Sequence, residues 1–123
     1  FNSTYLNIVL IWNKGIAFGL LSFNETYLYN ILSLIILIII ITLIVMSLKS
    51  QRFKRYSLLM VVGGALGNLH DRIFFNAVPD FIDFHVGEFH WFIFNVADIF
   101  ITSGIIFMIL TEIVDNNNKD EKI

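Results

Sequence analysis

Apolar residues fill three long stretches of the chain, and polar residues gather between them. The first stretch, residues 26–48, contains no charged side chain. At about 1.5 Å per helical residue, it is long enough to cross a hydrocarbon core of about 30 Å. Its isoleucines favour a strand, but a lone strand in lipid would leave its backbone N–H and C=O groups unpaired. We therefore predict a transmembrane helix.

Two further stretches, residues 56–72 and 89–112, are also predicted to be transmembrane helices. The second contains glycines, which allow close helix packing, and the third contains an acid, which can face the protein interior. The connection at 49–55 carries basic residues and no acid, so the positive-inside rule places it in the cytoplasm. Each transmembrane helix carries the chain to the opposite side of the membrane. The loop at 73–88 is therefore predicted outside the cell membrane, and the polar, frayed tail at 113–123 is predicted in the cytoplasm.

The segment before the first helix, residues 1–25, alternates weakly between apolar and polar side chains. Residues 13–15, Asn-Lys-Gly, are typical of a turn between two short strands, so we predict an extracytoplasmic β cradle here. The chain begins with Phe1 and lacks the pattern of a signal peptide, so we expect a preceding segment. The predicted fold is one membrane domain over residues 1–123, an all-α helical bundle of three transmembrane helices with a small extracytoplasmic β element.

Composition excludes several classes of protein. The chain is 57% hydrophobic and 15% charged, unlike an ordinary soluble domain. Its formal net charge of −2, with no long basic stripe, excludes the many phosphate contacts that nucleic-acid binding needs. It has no cysteine, which excludes a disulfide, a thiolate metal site, a cysteine nucleophile and an S-linked lipid anchor. Nucleic acid is therefore not a partner, and any chemistry must lie within or on the membrane.

Carboxylates supply the candidate chemistry. The predicted topology brings Asp71, Asp80 and Asp98 to one face of the membrane, where a charge within the bilayer is costly without a partner or a function. Two close carboxylates in a poorly hydrated site share a proton, as in aspartic peptidases, which favours Asp80 and Asp98. The alternative is structural pairing of these acids with Arg72. Asp83 is predicted to be a solvated loop acid.

Two asparagines precede two of these acids by three residues. Asn68 and Asn95 therefore lie on the same helical face as Asp71 and Asp98, where each can orient a carboxylate or backbone. The alternative for Asn95 is an N-cap of the third helix. Glycines 63, 64 and 67 have a spacing typical of close helix packing.

Three other chemistries are disfavoured. His70, His85 and His90 could form a metal site with a nearby acid, but no spacing puts two of them on one helical face. Ser103 lacks a nucleophile motif and is predicted to pack between helices. A small transporter subunit with Asp98 as a proton relay would need a polar path, but the cytoplasmic halves of the helices contain almost no ionisable residues.

Four ordered blocks resemble one known family. They are WNKGIAFG at 12–19, GGALGNLHDR at 63–72, VPDFIDF at 78–84 and FNVADIFITSG at 94–104. With these blocks the chain closely resembles the lipoprotein signal peptidases, or signal peptidase II enzymes. The resemblance covers most of the chain.

The resemblance implies an aspartic endopeptidase of the bacterial cytoplasmic (inner) membrane, with its active site near the extracytoplasmic face. It implies cleavage of the signal peptide from diacylglyceryl-modified prolipoproteins, just before the lipidated cysteine. We expect a monomer with no metal or organic cofactor. Carried over motif by motif, it gives Asp80 and Asp98 as the catalytic dyad. The resemblance also gives a set of residues that bind the substrate or support the site: Asn13, Gly15, Ala17, Phe18, Gly64, Asn68, Asp71, Arg72 and Asn95.

Two departures from the family accompany this resemblance. The family forms a four-helix bundle whose first helix carries an Asp and a Lys, whereas three helices are predicted here. The family usually has Pro where this chain has Phe92. We also expect Phe18 to lie on a mobile part of the cradle that clamps the substrate.

Overall fold

Three helices make up most of the computed structural model, which describes residues 2–13 and 26–121. They are α1 (Thr26–Lys49), α2 (Arg52–Phe75) and α3 (Val96–Glu121). Within the described part, Tyr27–Lys49 and Val96–Glu121 are long and apolar enough to cross a membrane. The helix α2 packs against both of the others, so it is the centre of the helical part.

A small antiparallel sheet accompanies the helices. Its strands are β1 (Leu6–Asn13), β2 (Val78–Val86) and β3 (Phe89–Phe94), with β2 in the middle. The β2–β3 hairpin turns at Gly87, whose φ of 60° suits a residue without a Cβ. Because β3 leads directly into α3, the sheet and the third helix share one continuous segment of chain.

Side chains and backbone conformation define the helix ends. Arg55 donates from Nε to the Ser47 carbonyl at 3.1 Å and from Nη2 to the Leu48 carbonyl at 3.3 Å, which satisfies the end of α1. At the end of α2, Asn76 adopts the left-handed conformation, and its N–H donates to the Arg72 carbonyl. Between α1 and α2, a core forms around Ile40, Val62 and Leu69.

The structure corrects several predicted boundaries. The helix predicted over 89–112 begins at Val96 instead, because residues 89–94 pair with β2. The predicted loop at 73–88 contains β2. The helix α2 exceeds the predicted 56–72 at both ends, which shortens the predicted connection at 49–55 to two residues. The tail at 113–123, predicted to be frayed, is helical to residue 121.

A strand in the predicted β cradle is confirmed over Leu6–Asn13. Among the described residues, β1 pairs with β2, which lies 65 positions further along the chain at the Asn13–Val78 pair. The second strand expected after Gly15 lies outside the described residues. Long-range pairing of this kind has no local signature in the sequence.

Two glycines bring α2 and α3 into close contact. A Cβ at Gly64 would lie 2.5 Å from the Ala97 carbonyl oxygen and 2.7 Å from Ile101 Cγ1. A Cβ at Gly104 would lie 2.6 Å from Val61 Cγ2. These distances are below van der Waals contact, so any larger residue would push the helices apart.

We expect Gly64→Ala and Gly104→Ala to lower the free energy of unfolding by about 1–3 kcal/mol each, because an added methyl overpacks the contact. Gly63→Ala is the matched control, since a Cβ there meets no atom within 4 Å. It should be neutral or stabilising, because Ala is a better helix former than Gly. Denaturation of the detergent-solubilised protein measures all three. Equal stability of Gly63→Ala and Gly64→Ala would contradict the close contact.

Candidate active site

Two carboxylates and three asparagines meet where the sheet joins the helices. Asp80 comes from β2, Asp98 from the first turn of α3, Asn13 from the end of β1 and Asn68 from α2, while Asn95 links β3 to α3. All five are buried, with Asp80 3% and Asp98 2% exposed. Residues from four elements and one connection thus form a single buried polar cluster.

Asp80 is held by two side-chain amides. Asn13 Nδ2 donates to Oδ2 at 3.0 Å, and Asn95 Nδ2 donates to Oδ1 at 2.9 Å. The β1–β2 pairing brings Asn13 here, because it sets Ile11 opposite Asp80 and Asn13 opposite Val78. Both carboxylate oxygens therefore accept a hydrogen bond from a neutral donor.

Asp98 is held by a side chain and by its own helix. Asn68 Nδ2 donates to Oδ1 at 3.0 Å, and the Asn95 backbone N–H donates to Oδ2 at 3.1 Å. In return, the Asp98 N–H donates to Asn95 Oδ1 at 3.1 Å. This reciprocal pair is a capping box, so Asn95 is the N-cap that the sequence offered as an alternative.

Asn95 connects the two halves of the cluster. Its Nδ2 carries two hydrogens, of which one reaches Asp80 and the other reaches Asn68 Oδ1 at 3.0 Å. Its backbone N–H reaches Asp98. Both carboxylates are therefore tied to one residue. The helix cap and the orientation of the acids depend on the same side chain.

The guanidinium of Arg72 supplies positive charge beside the two acids. Arg72 is 4% exposed, and it interacts electrostatically with Asp98, Asp80 and Asp71. Buried charges are tolerable only when paired, so Arg72 offsets the negative charge of the site. This arrangement combines support of the acids with the structural pairing that the sequence offered as an alternative.

The pKa of the Asp80 carboxyl is raised above its ordinary value, chiefly because burial disfavours the charged form. The negative charge of Asp98 raises it further. The hydrogen bonds from Asn13 and Asn95 and the charge of Arg72 act in the opposite direction, but burial prevails. Asp80 therefore holds a proton more readily than a carboxyl in water does.

The remaining predicted site residues differ in their relation to the cluster. Gly64 lies against Ala97, next to Asp98, and allows α2 to approach α3. Asp71 is partly exposed, and its Oδ1 lies 3.3 Å from His70 Nδ1. Three predicted outer-loop residues lie outside the described residues: Gly15, Ala17 and Phe18.

The prediction that Asp83 is a solvated loop acid is wrong. Asp83 is buried in β2, and both of its carboxylate oxygens lie 2.8 Å from His90 Nδ1. A carboxylate only accepts, so the imidazole N–H is the donor.

The His85 and His90 rings lie 5.2 Å apart. In the described part of the chain, no group of three His, Asp or Glu side chains could hold a metal ion.

Tyr29 is a residue that sequence reasoning missed. It lies in the first turn of α1, is 6% exposed and interacts electrostatically with the Arg72 guanidinium. Among the described residues, its buried hydroxyl has no hydrogen-bond partner. In the sequence, no signal separates this tyrosine at the start of an apolar run from exposed Tyr27 nearby.

Comparisons with known proteins agree on one family. The family model described as signal peptidase (SPase) II matches residues 1–114. The lipoprotein signal peptidase of Pelagibacter ubique (strain HTCC1062) is 54% identical over 115 residues, which cover 94% of this chain and 69% of that protein. The lipoprotein signal peptidase of Anaplasma phagocytophilum (strain HZ) is 45% identical over 112 residues, which cover 89% of this chain and 70% of that protein.

Solved structures give the same result for the fold. The structure of a bacterial membrane enzyme at 2.3 Å resolution superposes with a TM-score of 0.81 and 34% identity, covering 97% of this chain and 72% of that one. A second, at 1.9 Å resolution, superposes with a TM-score of 0.71 and 33% identity, covering 90% and 71%. The resemblance seen in the sequence motifs is thus confirmed. The chain belongs to the signal peptidase II family, the aspartic membrane peptidases that process lipoproteins.

Proposed function

We propose that this chain removes the signal peptide from diacylglyceryl-modified prolipoproteins, cutting just before the lipidated cysteine, with Asp80 and Asp98 as its catalytic dyad. The observation that supports the assignment is the link through Asn95, which binds both buried carboxylates at once. Two acids held together in a dry site cannot easily both ionise, which is the condition for sharing a proton.

The surroundings of the two acids differ. Burial raises the pKa of Asp80, which favours its protonated form. Asp98 lies in the first turn of α3, where the positive end of the helix dipole stabilises a negative charge. We therefore assign Asp80 as the general acid and Asp98 as the general base.

The reaction follows from this assignment. Asp98 takes a proton from water while the water oxygen adds to the scissile carbonyl carbon. Asp80 hydrogen-bonds the carbonyl oxygen as negative charge develops there. Asp98 then gives the proton that it took from water to the amide nitrogen, the C–N bond breaks, and the two products leave as an amine and a carboxylic acid. No covalent enzyme intermediate is formed.

Charge along α2 supports an extracytoplasmic site. Lys54 and Arg55 lie near its start, whereas Asn68 and Arg72 lie in its second half, about 20 Å further along the helix. With the basic end in the cytoplasm, the dyad lies toward the outer face. There a lipidated substrate can enter sideways from the bilayer and keep its acyl chains in lipid. We place all three helices across the membrane and expect a monomer.

Asp80→Asn and Asp98→Asn should each lower kcat by about 10²–10⁴-fold, because each removes one half of the acid–base pair. Cleavage of a diacylglyceryl-modified prolipoprotein by protein in lipid vesicles measures this. Asp120→Asn, at an exposed position of α3, is the matched control and should cleave normally. Full activity in either folded dyad variant would show that its carboxylate is structural.

The raised pKa of Asp80 predicts a pH-dependent stability. The folded state holds the Asp80 proton more tightly than the unfolded chain does. The stabilisation that this proton gives to the folded state is therefore fully present below the ordinary carboxyl pKa of about 4. It is lost as pH rises through the higher pKa of the folded state. Asp80→Asn should flatten this decline in the free energy of unfolding, whereas Asp120→Asn should keep it. Denaturation over a pH series gives the slopes, and an unchanged slope in Asp80→Asn would refute the raised pKa.

Substitutions at Asn95 separate its two roles. Asn95→Ala should lower the free energy of unfolding by about 1 kcal/mol through loss of the cap, whereas Asn95→Ser keeps a capping oxygen. Both variants lose the amide that donates to Asp80, so both should lower kcat/KM by about tenfold to a hundredfold. Activity and denaturation are measured on the same preparations. Wild-type activity in Asn95→Ser would mean that only the cap matters.

A further inference from the structure

The hydroxyl of Tyr29 differs from the carboxylates of the dyad in its hydrogen bonding. All four oxygens of the dyad accept hydrogen bonds, but this hydroxyl is buried and has no partner among the described residues. A hydroxyl buried without a partner disfavours folding, whereas phenylalanine would fill nearly the same space without that cost. The hydroxyl therefore requires an explanation other than packing.

The position of Tyr29 indicates what the hydroxyl can bind. Its strongest charged neighbour is Arg72, whose guanidinium also interacts with Asp80 and Asp98. A phenol oxygen beside a cation turns its lone pairs toward that cation, so its O–H hydrogen points elsewhere and is available to an acceptor. The Tyr29 hydroxyl thus offers a donor near the guanidinium that interacts with both acids of the dyad.

We propose that the Tyr29 hydroxyl is a substrate-binding group that donates a hydrogen bond to a carbonyl oxygen of the lipidated substrate, beside the Arg72 guanidinium. This inference rests on the proposed function, since it takes the substrate from it. The acceptor is either a peptide carbonyl near the scissile bond or an ester carbonyl of the diacylglyceryl group. Arg72 has a long side chain that can change rotamer to admit the oxygen, and the dry surroundings strengthen the bond.

The neighbouring tyrosine provides a matched control. Tyr27 lies two residues earlier on the same helix and is 62% exposed, against 6% for Tyr29. The variants Tyr29→Phe and Tyr27→Phe each remove one hydroxyl from the first turn of α1 and leave the ring in place. A general effect of losing a tyrosine hydroxyl in this helix would appear in both variants.

For Tyr29→Phe we expect kcat/KM to fall about tenfold, which corresponds to one lost hydrogen bond, while stability is unchanged or higher. Tyr27→Phe should match the wild type in both kcat/KM and stability. Binding is read without turnover by measuring the affinity of a diacylglyceryl-cysteine peptide for the Asp98→Asn protein with and without Tyr29→Phe. That affinity should also fall about tenfold.

The outcomes separate this inference from the proposed function. Cleavage by folded Asp98→Asn would overturn the dyad, whereas the Tyr29→Phe affinity loss tests the hydroxyl independently of cleavage. Wild-type affinity and kcat/KM in Tyr29→Phe would overturn the inference, as would a loss of stability with unchanged activity per folded molecule. A diether version of the peptide identifies the acceptor: a Tyr29→Phe penalty that persists points to a peptide carbonyl, and one that disappears points to a lipid ester.

Discussion

The pair of hydrogen bonds between Asn95 and Asp98 connects the fold of this protein to its chemistry. The same reciprocal bonds that start α3 also fix the orientation of one carboxylate, and the Asn95 side chain extends the arrangement to Asp80. A helix N-terminus has unsatisfied N–H groups that must find acceptors. Here an acid of the proposed dyad is one of those acceptors, so α3 cannot begin correctly without placing that acid.

The donors of the cluster suit a site that must keep its acids reactive. Asparagine amides orient a carboxylate without neutralising it, whereas an ion pair on every oxygen would hold both acids ionised. Among the residues that the structure describes, Arg72 brings a full positive charge to both acids together. Burial then acts against ionisation of Asp80. In the proposed mechanism, two chemically identical side chains have different roles.

Some of this structure could be predicted from the sequence, because the responsible signals are local. The uncharged run of α1 and the weakly alternating N-terminal segment indicated a membrane helix and a strand, and the motifs indicated Asp80 and Asp98. The start of α3 was missed because an apolar run does not reveal whether it is strand or helix until its pairing is known. Asp83 was missed because an isolated acid normally indicates solvent, and only the fold brings His90 to it.

Tyr29 shows the limit of reading single positions. Its sequence surroundings are those of a lipid-facing aromatic, and only the packing of α1 against α2 separates it from exposed Tyr27. A buried group without a partner is also informative in a way that a satisfied one is not. For Asn13, Asn68 and Asn95, hydrogen bonds within the protein are enough to explain their positions. The Tyr29 hydroxyl has no such explanation within the described residues, so its partner is best sought in the substrate.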